Sequence, residues 1–508
     1  MKHIYYIIFI IIQNYTNLTV LLAAKQQKYF ALLLLHKIHS IILIEKTDEH
    51  RKEKAMSKGK NGEVLMTEGC IWKHIVKFAL PLALGYLFQQ LYTTVDSIVV
   101  GNYVGKEALA AVGTTSPIIN TLIGFFSGLA TGSGVVIARS YGAGNAKKVE
   151  KAVHTSIAVI LAFSVVATVL GVFTVPYMLD MMSTPADVYG EAETYLEIYF
   201  AGVASLMIYN MGSAILRAVG DSVRPLWYLI CSSVVNVVFD ILFVGYMHMG
   251  VAGAAYATII SQIISSILVL ISLTVSKGMH RLYWKRLHID PGTFKEIIYI
   301  GMPSALQLSI TAFSNIFVQS YINAFGSSVM AGWSSYIKID QFVVIPANSI
   351  SMSITTFVGQ NLGAYKAYRA NKGTKISLGI AAAATAVIVA VLVAFAPQAI
   401  MLFNREPAVI ECGTMLLRVM TPVYIVWSVN MILSGSLCGA GDTRIAMYIK
   451  LFSFVIFRQI YLFAVSRMFP NVLFAVAIGY PIGWTLSAVL ITIYYIHKNK
   501  EITARFSR

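Results

Sequence analysis

Apolar residues run through this chain in long blocks, not in the short alternations of a soluble fold. After residue 70, twelve stretches are long and apolar enough to cross a bilayer, near 74–100, 111–137, 152–178, 194–214, 226–247, 251–275, 296–322, 329–357, 375–398, 412–434, 446–467 and 472–496. A membrane helix needs about 20 such residues, because lipid offers its backbone no hydrogen-bond partner outside its own segment. The pattern predicts an all-α membrane protein of twelve transmembrane helices. It divides into a segment at 56–73, a first lobe at 74–275, a linker at 276–295, a second lobe at 296–496 and a tail at 497–508.

The two lobes repeat one another. Pro81-Leu82-Ala83-Leu84 is matched by Pro303-Ser304-Ala305-Leu306, and Tyr141-Gly142-Ala143-Gly144 by Leu362-Gly363-Ala364-Tyr365. Ala218-Val219-Gly220-Asp221-Ser222 recurs as Gly439-Ala440-Gly441-Asp442-Thr443. The offsets are 222, 221 and 221 residues. Six spans separate equivalent points, so both copies keep one orientation and are related by a pseudo-two-fold axis along the membrane normal. Two six-helix lobes around a cleft suit an alternating-access transporter. The Gly-Asp-Ser/Thr turns are expected to be tight connections whose Asp caps the next helix.

Composition agrees: of 508 residues, 57% are hydrophobic and only 12% charged, which excludes a single water-soluble domain. The net charge is +16. In a soluble chain that excess would suggest nucleic acid, but here 25 of the 31 Lys and Arg after residue 55 fall in the loops, tails and adjoining span ends of one side. They include Lys147, Lys148, Lys151, Lys277, Arg281, Lys285, Arg286, Lys366, Arg369, Lys372 and Lys375. That bias places both termini in the cytoplasm and the protein in the plasma (inner) membrane, with lipid and no nucleic acid as its surroundings. Four cysteines at scattered positions support neither a disulfide framework nor a zinc site. No cofactor is expected, and a monomer suffices.

Charges within the spans are the candidate chemistry, since each costs about 2.5–3.5 kcal/mol on insertion scales. Gln89, Tyr92 and Asp96 share one face of the first span, and Asn236 and Asp240 one face of the fifth. At about 1.5 Å per residue, both acids fall in the outer half of the first lobe, where Thr258 of the sixth span reaches the same level. If the first and fifth spans are neighbours, Asp96, Asn236 and Asp240 form one site that can carry H⁺ or hold Na⁺. The competing structural roles are a water-facing helix cap for Asp96 and an interhelical hydrogen bond for Asn236 with Asp240. The second lobe carries Lys338, Asp340 and Arg458, for which an Asp340–Arg458 or Asp340–Lys338 contact is expected. Gln307 is placed along the cleft, and Pro81 removes a backbone donor where the first helix would bend. The 28 Tyr, 26 Phe and 20 Met supply soft surfaces for apolar cations.

On these residues the chain resembles the multidrug and toxic compound extrusion (MATE) transporters. The carrying segments are Phe78-Ala79-Leu80-Pro81 through Gln89-Gln90-Leu91-Tyr92 to Val95-Asp96, Leu109-Ala110-Ala111-Val112-Gly113, Tyr141-Gly142-Ala143-Gly144 and Val358-Gly359-Gln360-Asn361-Leu362-Gly363-Ala364. The resemblance implies export of amphipathic, cationic small-molecule drugs in exchange for H⁺ or Na⁺. Within the family it is closest to the DinF-like branch, which implies a first-lobe cavity lined by Gln89, Tyr92, Asp96, Asn236, Asp240 and Thr258, with Pro81 at the bend. The NorM-like branch has a cation-linked glutamate where this chain has Thr311, so coupling in the first lobe is favoured.

Two other readings are weaker. A lipid-linked oligosaccharide flippase of the wider superfamily would carry fourteen spans and a more cationic cleft. A membrane-embedded enzyme would need a convergent catalytic set, and the ten histidines show no ligand-like spacing. Residues 1–55 match nothing in the repeat and read as a non-native or disordered extension, with translation expected to start at Met56.

Overall fold

Long apolar helices must bury their small-residue faces on one another, and the glycine-rich segments decide where. A computed structural model describes residues 64–182, 184–469 and 472–506. The expected extension at 1–55 lies outside them. Among the described residues, twelve helices are long and apolar enough to span a membrane. The first lobe contains α1 (Ile71–Tyr103), α2 (Lys106–Gly142), α3 (Ala146–Met181), α4 (Ala186–Ala218), α5 (Val223–Tyr246) and α6 (Gly250–Val275). The second contains α7 (Pro291–Asn323), α8 (Ser327–Gly363), α9 (Ala367–Ala394), α10 (Pro407–Gly439), α11 (Thr443–Met468) and α12 (Leu473–Glu501).

Most helices begin before and end after the apolar stretches, because their polar first turns are capped and continue the same hydrogen-bond ladder. Asn145 accepts from Lys148 N to start α3, and Asp290 accepts from Thr293 N to start α7. Several spans are interrupted. Pro346 follows a break in α8 at Val344, and Pro422 sits in a 3₁₀ turn within α10. The end of α5 opens into a π-helical turn at Ile241–Tyr246, and the middle of α11 into another at Phe452–Phe457. Pro81 lies inside an α1 that runs unbroken to Tyr103.

The repeat is visible in the packing. Within the first lobe α1 packs on α5, α2 on α4, and α4 on α6; within the second, α7 packs on α11, α8 on α10, and α10 on α12. The lobes meet chiefly where α2 runs against α7 and α8. Gly124, Gly128 and Gly132 of α2 lie against the backbones of Leu308, Ala305 and Gly301 of α7. At the end of the bundle carrying the basic clusters, a Cβ on Gly142 would overlap the Gln360 carbonyl, and a Cβ on Gly363 the Arg139 carbonyl.

The chain before α1 reinforces that closure. Met66 and Thr67 are buried. Gln360 accepts from Met66 N at 2.9 Å and donates to Ala218 O at 2.9 Å, so one side chain ties the leading segment to both lobes. Arg369 and Lys366 donate to the Met66, Thr67 and Glu68 carbonyls. Lys148 of the first lobe pairs with Glu296 of the second at 3.0 Å.

The two Gly-Asp turns differ. Asp221 accepts from Val223 N and Arg224 N and so caps α5, as expected. Asp442 makes no such cap; it accepts instead from the Tyr494 hydroxyl of α12. In the linker, fully buried His280 meets Ser276 Oγ at 3.0 Å. Burial, aided by Arg224 and opposed by Asp221, lowers its pKa from 6.5 to about 4.

Two predictions follow from this packing. Gly142→Ala should weaken the seam by about 1–3 kcal/mol, read as a lower unfolding temperature and faster maleimide labelling of Cys438, which lies beside Arg139, in a protein whose other cysteines are serine. Unchanged labelling and stability would refute the close crossing. Because His280 is held neutral, its contribution to stability is complete above about pH 6.5 and lost as pH falls towards 4. His280→Gln should flatten the stability–pH profile within that window; an unaltered slope would contradict the burial argument.

Candidate functional site

Asp96 and Asp240 reach the same level because α1 and α5 are neighbours running in the same direction. Asp96 lies seven residues before the end of α1 at Tyr103, and Asp240 six before the end of α5 at Tyr246, about 10 Å from those ends. Asp96 is 8% exposed, Asn236 1% and Asp240 0%. The two carboxyl groups are close enough to interact electrostatically. Asp96 is therefore no water-facing cap.

No described residue satisfies this group. Asp96 Oδ1, both Asp240 oxygens and both polar atoms of the Asn236 side chain have no hydrogen-bond partner. The interhelical hydrogen bond expected as the structural role of Asn236 with Asp240 is not formed. An unsatisfied buried polar group costs about 1–3 kcal/mol, more when charged. Five such atoms clustered at one depth are a poor structural solution and a suitable one for a small cation or proton. The π-helical turn starting immediately after Asp240 falls where such turns recur at functional sites.

The surrounding helices supply phenols and hydroxyls. Tyr92, one turn before Asp96, lies within electrostatic reach of it. Gln89 is exposed, while Thr258 and Gln307 are half-buried. Thr258 lies eight residues into α6, on the level of the acids, and its carbonyl accepts from Ser261 Oγ at 2.7 Å. One turn below Asn236, Ser232 Oγ donates to Ser261 O at 2.8 Å and joins α5 to α6. Two residues missed in the sequence belong here. Tyr195 and Tyr199 of α4 are buried, stacked with ring centroids 6.4 Å apart, and Tyr195 lies within electrostatic reach of both Asp96 and Asp240. Their i,i+4 spacing on an apolar span was the available signal.

The second lobe is arranged differently from expectation. Asp340 accepts from the Tyr336 hydroxyl at 3.2 Å and forms no ion pair with Arg458 or Lys338 among the described residues. Arg458 is buried, donates to Ser314 Oγ at 3.0 Å and Asn315 Oδ1 at 2.9 Å on α7, and lies over the Tyr480 ring. Neutral acceptors and an aromatic face spare the guanidinium a second buried charge. Lys338 is exposed and points its ammonium at the Phe403 ring. Thr311 donates to Gln307 O at 2.7 Å on its own helix.

The family model MatE matches residues 81–242 and again residues 303–464, starting at equivalent prolines 222 residues apart. The chain belongs to the MatE family. As a MATE protein it is an efflux transporter rather than an enzyme. A probable multidrug resistance protein, YoeA of Bacillus subtilis (strain 168), is 27% identical over 445 residues, 85% of this chain and 96% of YoeA. YpnP of the same organism, also described as a probable multidrug resistance protein, is 29% identical over 397 residues, 77% of this chain and 88% of YpnP. Among solved structures, a MOP superfamily transporter from Pyrococcus furiosus superposes with a TM-score of 0.82 at 24% identity, covering 88% of this chain and 99% of that one. That likeness shows the two-lobe MATE fold.

The contrast between the lobes predicts opposite responses. Asp240→Asn should leave global stability unchanged or raised, because the wild-type carboxyl has no hydrogen bond to lose. Arg458→Met should cost about 1.5 kcal/mol or more, since it removes two charge-assisted hydrogen bonds to α7. Thermal unfolding of the two variants checks this; a large loss in Asp240→Asn would show that the acid is structural.

Proposed function

We propose that this MATE transporter exports amphipathic, cationic small molecules by alternating access, in exchange for H⁺ or Na⁺ taken up at Asp96, Asn236 and Asp240. The observation that carries the reading is the buried pair of acids with an adjacent amide, five of whose polar atoms lack a protein partner. The multidrug descriptions of YoeA and YpnP support the substrate class.

In this scheme the basic end faces the cytoplasm of the cell whose plasma membrane holds the protein, and the glycine seam keeps the cleft closed on that side. Substrate then leaves towards the opposite side as the carboxylates load their ion. Loading the ion removes charge repulsion between Asp96 and Asp240 and permits α1, α4 and α5 to pack more tightly. Pro81, which leaves the Lys77 carbonyl of α1 without its usual donor, is the hinge through which that change reaches the seam. Gln89, Tyr92 and Thr258 contact substrate or ion in the first lobe, and Gln307 lines the other wall of the cleft.

Proteoliposomes loaded with ethidium test the proposal. An imposed proton or sodium gradient should drive ethidium movement in the wild type, and the gradient that does so identifies the ion. Asp96→Asn and Asp240→Asn should each reduce gradient-driven transport by about tenfold or more while remaining folded. Transport that is equally fast in either variant would rule these acids out as the coupling site.

A further inference from the structure

Beside the basic end, the first turns of α3 and the linker before α7 enclose a recess of about 480 Å³ that the transport scheme does not use. Four permanent cations line it, Lys147, Lys151, Lys285 and Arg286, against one carboxylate, Glu150. Two ion pairs brace its walls. Arg286 Nη1 meets Glu150 Oε1 at 3.0 Å, and Lys151 Nζ meets Asp290 Oδ1 at 3.0 Å. Asp290 is also fixed by Thr293 N and Oγ1, and these hydrogen bonds, with Lys151, hold its carboxyl well below the usual range. The floor is buried His154, whose Nδ1 meets Glu150 O at 2.7 Å and whose Nε2 accepts from Tyr283 N at 3.0 Å.

With both local acids engaged, Lys147 and Lys285 face the recess without a carboxylate within ion-pair distance among the described residues. The recess also lies at the ends of the spanning helices, between the start of α3 and the linker before α7. Its neighbour Trp284 is 48% exposed and anchored by Nε1 to Thr274 Oγ1 at the end of α6, while Arg281 and Arg286 lie over the Tyr283 ring. A half-exposed Trp beside a cluster of cations at the end of a bundle is the arrangement found where protein meets lipid headgroups.

We propose that this recess binds the phosphate group of an anionic phospholipid in the leaflet at the basic end, with Lys147 and Lys285 contacting the phosphate and Trp284 resting at the headgroup boundary. Bound there, the lipid would bridge α3 and the linker, and so join the first lobe to the start of α7.

Full-length protein in phosphatidylcholine nanodiscs, titrated with phosphatidylglycerol and read by native mass spectrometry and thermal unfolding, tests the assignment. The wild type should retain phosphatidylglycerol selectively and unfold at a higher temperature with it. Lys147→Gln combined with Lys285→Gln should weaken that retention by about tenfold or more, and Lys147→Arg with Lys285→Arg should keep it. Retention of phosphatidylglycerol no better than phosphatidylcholine, or wild-type retention by a folded glutamine variant, would overturn the proposal. Inorganic phosphate provides the remaining arm. If it stabilises the protein in detergent as strongly as the lipid does, through the same two lysines, the site is for a soluble anion and the lipid assignment fails. None of these readouts depends on transport, so they stand apart from the coupling experiment.

Discussion

The closest approach of the two lobes is a reciprocal crossing of helix ends, and much else is arranged around it. Gly142 of α2 sits under the Gln360 carbonyl and Gly363 of α8 under the Arg139 carbonyl. These residues exchange under the repeat, since Arg139 and Gln360, like Gly142 and Gly363, are 221 apart. The pseudo-two-fold axis therefore passes through the crossing, and neither glycine can gain a Cβ without moving a backbone. With the helices this close, Gln360 can reach Met66 on one side and Ala218 on the other. The contacts that continue along α2 and α7, by way of Gly132, Gly128 and Gly124 to Ser309 Oγ on Thr121 O, extend the same seam towards the middle of the bundle. A contact made of backbone and glycine, with few long side chains, forms and breaks with little rotamer entropy. That suits a seam which, in the proposed alternating-access scheme, opens in each cycle.

The duplication copied the scaffold and left the chemistry in one lobe. Adding 222, the offset at the paired prolines, to Asp96 gives Val318, and adding 221, the offset at the Gly-Asp turns, to Asn236 and Asp240 gives Phe457 and Tyr461. Subtracting 221 from Asp340 and Arg458 gives Ile119 and Val237. Neither set of ionisable groups has a counterpart, although α5 and α11 both contain a π-helical turn next to the buried group, just after Asp240 in one and just before Arg458 in the other. The second lobe resolves its charge with neutral partners and an aromatic face; the first leaves its acids without partners. Under the proposed coupling, this asymmetry would let ion uptake act on one lobe while the other serves as the body it moves against.

Much of the fold could be read from the sequence because its signals are local and repetitive. Twelve apolar stretches, the offset repeats and the paired prolines are all visible without tertiary information, and the Pro-induced interruptions at Pro346 and Pro422 follow from a missing donor. The π-helical turns were not legible, since no residue type encodes a shift from i→i−4 to i→i−5 bonding; packing decides it. At the site, the faces carrying Asp96, Asn236 and Asp240 were legible from helical spacing. Whether they were satisfied was not, because that depends on what α4 and α6 bring opposite. The same reason explains the second-lobe error. Asp340 and Arg458 have opposite charges, but Tyr336, Ser314 and Asn315 reach them first.

Basic and acidic residues thus do different kinds of work in this chain. The bases are numerous, lie mostly at one end of the bundle and set up a field that they share, so losing one changes it little. The first-lobe acids Asp96 and Asp240 are buried, with three carboxyl oxygens lacking a hydrogen-bond partner, so each controls a local balance of burial against charge. A gradient can do work only through groups of the second kind, because only they are stabilised differently when an ion is bound and when it is absent. The glycine seam and the carboxylate pair therefore need each other. In the proposed cycle the seam is the contact that is reset and the acids supply the change in charge that resets it, acting through α1, the helix that both holds Asp96 and packs against α8.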